Sequence, residues 1–99
     1  MEVDYGCYIL VHQKVRKATY QEWAAWWAVL ENRVVGRTTL QGVRVSTVFI
    51  GVEPVYFETM VFGGLLSDLQ RRYWTFSEAK KGHHQVVKNV RLLIRLGRY

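Results

Sequence analysis

The chain is 99 residues long, 49% hydrophobic and 14% aromatic, with a formal net charge of +6. That length supports one domain spanning residues 1–99 and a core of modest size, not two domains. The single cysteine, Cys7, excludes an internal disulfide framework and a cysteine-rich zinc site, and it reads as a small core residue.

The positive balance points to an anionic partner, namely nucleic acid, a nucleotide, an acidic protein or a membrane surface, or else serves solubility alone. Glu2 and Asp4 do not fit the basic-then-apolar order of a secretory signal. No apolar run approaches the roughly 20 residues needed to span a bilayer. A soluble, cytoplasmic protein with no membrane partner is therefore expected.

Residues 3–11 predict a first strand, with Tyr8, Ile9, Leu10 and Val11 as a continuous apolar run. Residues 12–17 form a basic connection, either strand extension or loop. Thr19 and Glu22 stand at capping-box spacing and open a helix that Asn32 can end. Trp23, Trp26, Trp27 and Leu30 fall at i, i+3, i+4 and i+7, one face of that helix. The tryptophans are read either as core packing or as a surface with one ring exposed for a base or a partner.

Residues 34–40 predict a short strand, and Gln41-Gly42 a hairpin turn. Residues 43–52 return antiparallel, with Val43, Val45 and Thr47 alternating against Arg44 and Ser46. Val48, Phe49 and Ile50 interrupt that alternation, which predicts burial on both faces there. Glu53-Pro54 turns the chain, because proline cannot donate to a ladder. Residues 55–62 form the next strand. Val55, Phe57, Thr59 and Val61 take one face, and Tyr56, Glu58, Met60 and Phe62 the other. Residues 65–72 read as a connection with room for a helical turn. Thr75 and Glu78 open a second capped helix that runs to about Leu96, with Gly97 as its cap.

The predicted order is β-α-β-β-β-α. It corresponds to an α+β, two-layer domain with a mainly antiparallel four-stranded sheet that includes the N-terminal strand, and both helices on one face. The uncovered face then meets water, ligand or another subunit, and its apolar content favours a homodimer or higher oligomer.

The last helix holds the clearest pattern. Lys80, His84, Lys88, Arg91, Arg95 and Arg98 fall within an arc of about 80° at 100° per residue. This stripe is either a solvated outer face or a ridge facing phosphates. Glu58 is the second candidate, since a carboxylate among Tyr56, Phe57, Met60 and Phe62 requires a partner. Arg44, Arg37 and His83 are the partners the sequence offers. His83 falls on the apolar helix face, either as a packed core histidine or as a neighbour of Glu58. His83 and His84 are adjacent on a helix and do not converge on one metal. There is no P-loop, G-x-G-x-x-G, G-x-S-x-G or H-E-x-x-H motif, so enzyme signals are weak, and no cofactor or metal is expected.

The strings V-S-T-V-F-I-G from Val45, F-E-T-M-V-F-G-G from Phe57 and Y-W-T-F-S-E-A-K-K-G-H from Tyr73 resemble a group of small phage and prophage proteins. A-T-Y-Q-E-W from Ala18 and N-R-V-V-G-R-T from Asn32 look similar too, so the likeness covers most of the chain. Members of that group often carry an Asp-His and a Gly/Pro-rich loop between the two central strands. Here only Val52-Glu53-Pro54 connects them. If that loop forms part of a site, this chain has lost or shortened it.

The resemblance implies a phage-encoded accessory protein acting against host defence. Such a protein can sequester a nucleotide signal or bind a defence complex. The resulting expectation is a non-catalytic protein holding a small anionic, nucleotide-like ligand in an aromatic and basic pocket. Lys88, Arg91 and Arg95 would bind phosphates, with His84 beside them. Trp26 or Tyr56 would stack a base, Glu58 would accept from a ribose or base edge, and Arg44 and His83 would complete the site. The alternatives are direct nucleic-acid binding through the basic stripe and inhibition of a host defence protein through the sheet face or the tryptophans. Acid–base chemistry by Glu58 and His83 is a distant fourth.

Overall fold

The computed structural model describes residues 6–98, and the expected start of the first strand at Val3 lies outside them. Among these residues the architecture is α+β, with a four-stranded antiparallel sheet, a separate two-stranded sheet and three helices.

The N-terminal strand does not join the main sheet. Strand β1 (Cys7–Val11) pairs instead with β2 (Lys14–Ala18) as a hairpin. His12 and Gln13 turn it with φ of 51° and 67°, the left-handed pair that a two-residue hairpin turn demands. No Asn-Gly or Asp-Gly marks this turn, and Lys14-Val15-Arg16-Lys17 is exposed throughout, so the basic connection hid a strand. The hairpin meets the main sheet through the Cys7–Val52 bridge and a 2.8 Å hydrogen bond that the Tyr8 amide donates to the Gly51 carbonyl.

Thr19 caps helix α1 (Tyr20–Trp27), accepting from the Glu22 amide at 3.2 Å. The predicted helix to Asn32 is two helices. Val29 is extended, and the Asn32 side chain donates to the Trp26 carbonyl at 2.8 Å, ending α1 before the short α2 (Leu30–Arg33) begins.

Strands β3 (Val34–Leu40), β4 (Val43–Ile50), β5 (Tyr56–Phe62) and β6 (Gln70–Tyr73) form a meander in the order β3-β4-β5-β6. The fourth strand is thus β6, from the segment read as a connection. Its sequence, Gln-Arg-Arg-Tyr, shows no apolar alternation because it is a short edge, and charge on an edge discourages pairing with other chains. Alternation in β4 runs unbroken. Val43, Val45, Thr47 and Phe49 are buried, while Val48 and Ile50 are only half-buried on the opposite face.

Helix α3 (Phe76–Arg95) alone packs across the sheet. Thr75 caps it by accepting from the Glu78 amide at 3.1 Å. It ends in a Schellman motif at Gly97, whose φ is 68°: the Gly97 amide donates to Ile94 and the Arg98 amide to Leu93. Val86, Val87 and Val90 pack on Val43, Val45 and Val61. At the other end, Ala79 sits with Phe49 and Phe57, and Trp26 meets Phe49 edge-on at 5.9 Å. So α1 touches β1 and closes one end of this core rather than covering the sheet.

Gly51 is where hairpin, α1 and β4 converge. A Cβ there would lie 2.7 Å from the Tyr8 carbonyl oxygen and 2.8 Å from Trp23 Nε1. The Tyr8 oxygen belongs to the backbone and cannot swing aside. Gly51→Ala should therefore cost about 1–3 kcal/mol by overpacking. A thermal melt checks this, with the midpoint expected to fall by roughly 4–8 °C per kcal/mol.

Candidate functional site

Helix α3 turns its apolar stripe to the sheet, so its polar stripe must face outward. Lys80, Lys81, His84, Lys88, Arg91 and Arg95 are all exposed, and exposed Arg98 follows the helix end. At 1.5 Å per residue, the ridge from Lys80 to Arg95 is about 22 Å long. It holds two open hollows. One, about 420 Å³, is lined by Ser77, Lys80, Lys81, His84, Gln85 and Lys88. The other, about 340 Å³, is lined by Lys88, Asn89, Arg91, Leu92 and Arg95. Lys88 belongs to both.

Among the described residues, no carboxylate pairs with these cations; the ion pairs are Arg16–Glu22 and Arg72–Glu58. Residues 80–98 hold six of the fourteen Lys and Arg and none of the eight Asp and Glu. The rest of the chain, with eight of each sign, is formally neutral. The net charge is therefore concentrated on one helix face rather than spread for solubility.

Arg44, Tyr56 and Glu58 lie on the opposite side of the sheet, on the face turned away from α3. The Arg44 guanidinium carbon stands 4.8 Å from the Phe62 ring centroid, and that of Arg72 stands 4.5 Å from the Tyr56 ring. Glu58 accepts from Arg72 Nε at 3.4 Å. The sequence offered Arg44, Arg37 or His83 as its partner. Arg72 is the cross-strand neighbour of Glu58 on β6, a short charged strand with no apolar period to mark it in the sequence. Trp26 is half-buried and sets its ring edge-on against Phe49, apart from both the ridge and the open sheet face.

His83 is in neither place. It is 6% exposed, clamped between α3 and the middle of the sheet. Its Nδ1 is hydrogen-bonded to Thr47 Oγ1 at 2.7 Å and its Nε2 to Thr38 Oγ1 at 2.9 Å. Thr47 is joined in turn to Thr59, so a polar chain crosses β3, β4 and β5 beneath the helix. Gly36 makes room, since a Cβ there would lie 2.9 Å from the imidazole. Glu58 is on the far face of the same strand as Thr59, so the Glu58–His83 pairing does not form. Burial, and after it the charge of His84, push the His83 pKa below its ordinary value. A neutral imidazole has one donor and one acceptor, and two hydroxyls satisfy both.

The nine anticipated ligand contacts therefore fall into separate places. His84, Lys88, Arg91 and Arg95 share the outer ridge; Arg44, Tyr56 and Glu58 share the open sheet face; His83 is buried beneath α3, and Trp26 packs half-buried against Phe49. Among the described residues, no group of three His, Cys, Asp or Glu side chains could hold a metal ion, and no helix is long and apolar enough to cross a membrane. No protein-family model, curated protein or solved structure matches this chain.

The lowered His83 pKa links stability to pH. The unfolded chain takes up this proton at higher pH than the folded one does, so stability is intact above about 6.5 and falls as pH drops below that toward the folded value. Urea midpoints at pH 7.5 and 5.0 should show this loss, and His83→Gln should shrink the difference. Thr47→Val, which strands the imidazole Nδ1, should cost about 1–3 kcal/mol at pH 7.5.

Proposed function

We propose that this protein is a non-catalytic binder of phosphate-bearing ligands, nucleic acid foremost, and that it takes their phosphates on the outer face of α3. The supporting observation is the exposed ridge of Lys80, Lys81, Lys88, Arg91 and Arg95, with no neutralising carboxylate among the described residues. Two hollows meeting at Lys88 suit a run of phosphates better than one isolated charge. Arginine gives bidentate contacts to phosphate oxygens, and lysine adds mobile point charges. Such binding draws on counterion release and is sequence-tolerant.

A second reading rests on the larger hollow alone. At about 420 Å³ it is within the range of small-ligand sites, and its basic lining would suit a nucleotide-type signal. The resemblance to phage accessory proteins supports setting either activity in a bacterial host cell, against a defence system.

Salt titration separates the two readings. For duplex nucleic acid, log affinity should fall linearly with log salt, with a slope of about −0.9 for each phosphate contact. Replacing Lys88, Arg91 and Arg95 together by Gln should make that slope shallower by about 3. An unchanged slope counts against the ridge. Saturable uptake of a mononucleotide in calorimetry, with a slope of only about −1 to −2, would favour the second reading.

A further inference from the structure

The sheet face turned away from α3 has a chemistry of its own. Tyr56 and Phe62 project from it six residues apart on β5, about 20 Å at 3.3 Å per residue. Each ring is associated with a guanidinium, Arg72 with Tyr56 and Arg44 with Phe62. Phe62 is 39% exposed, and the Arg72 side chain is 58% exposed. Met60 and Glu58 lie between the rings, and Glu58 steadies Arg72 through its 3.4 Å contact.

We propose that this open face binds single-stranded nucleic acid by stacking unpaired bases on the Tyr56–Arg72 and Phe62–Arg44 pairs. The site is separate from the α3 ridge and does not depend on it. Charge selects the occupant. Arg37, Arg44 and Arg72 outnumber Glu58, so a second copy laid on this face would set arginine against arginine. An anionic strand has the complementary sign. A guanidinium beside a ring can offer its outer plane to a nucleobase and its N–H edge to a phosphate, a combination that suits unstacked bases. Duplex bases are already stacked on each other, so a duplex offers this face only its backbone. Platforms that combine aromatic rings with basic groups bind single strands with little sequence preference.

The test uses the full chain and a thymidine 12-mer bearing one 2-aminopurine, beside a duplex of equal length. Stacking on the face should change the 2-aminopurine emission on binding. The Lys88, Arg91 and Arg95 triple Gln variant should keep that change. Tyr56→Ala with Phe62→Ala should weaken single-strand binding by about tenfold or more per ring and leave duplex affinity in place. Should that variant not fold, Arg44→Gln with Arg72→Gln, exposed on the same face, should show the same selective loss. An unchanged emission, or equal loss for duplex and single strand, overturns the proposal. So does a wild-type dimer in sedimentation that the Tyr56 and Phe62 substitutions dissociate, because a second copy then covers the face.

Discussion

The hydrogen-bonded seat of His83 sets the rotation of α3 about its own axis. Six valines between helix and sheet hold one end of the core, at about 1.5–3 kcal/mol for each fully buried side chain, and Phe49, Phe57 and Ala79 hold the other. Apolar burial turns the valine stripe of α3 to the sheet, but it is non-directional and leaves the fine rotation to other contacts. The imidazole supplies one. Its two nitrogens reach hydroxyls on two different strands, and Gly36 accommodates the ring. Losing either partner would leave a buried polar atom unsatisfied, a penalty comparable to burying a whole valine. Once His83 is seated, Lys80, His84, Lys88, Arg91 and Arg95 must point outward.

The same two-residue period that places Thr47 and Thr59 beneath the helix sends Glu58, Met60 and Phe62 to the other side. The protein therefore presents two polar surfaces back to back, separated by one layer of core. One is a convex cationic ridge. The other is a flatter face where rings and guanidiniums alternate. Their chemistries differ because their scaffolds differ. A helix groups charges every three or four residues, whereas neighbouring strands set an arginine beside an aromatic ring.

Much of this was legible in the sequence. Both threonine N-caps, the Gln41-Gly42 turn, the alternation of β5 and the basic arc of α3 follow from local rules and form as expected, although Glu22 pairs with Arg16 and Glu78 accepts from the Thr75 hydroxyl instead of reaching back to the cap amides. What escaped depended on long-range pairing. The β1–β2 hairpin lacks the usual turn residues, and β6 is a short charged edge with no period to detect. Missing β6 hid Arg72, and with it the partner of Glu58. The buried polar chain left a faint trace in Thr47 and Thr59 on inward positions and a histidine on an apolar helix face. Only the strand register reveals that these meet. Composition and periodicity are compatible with a single pocket combining helix cations with Glu58 and Tyr56, but the sheet separates them.

The account depends on α3 offering phosphates a fixed outward ridge. Backbone amide NMR during titration with a short DNA duplex tests this most directly. Shifts should concentrate at residues 80–98, and the amides of Thr47 and Thr59 should stay in place. Shifts confined to β1, β2 or the β3–β6 sheet, with α3 silent, would contradict it.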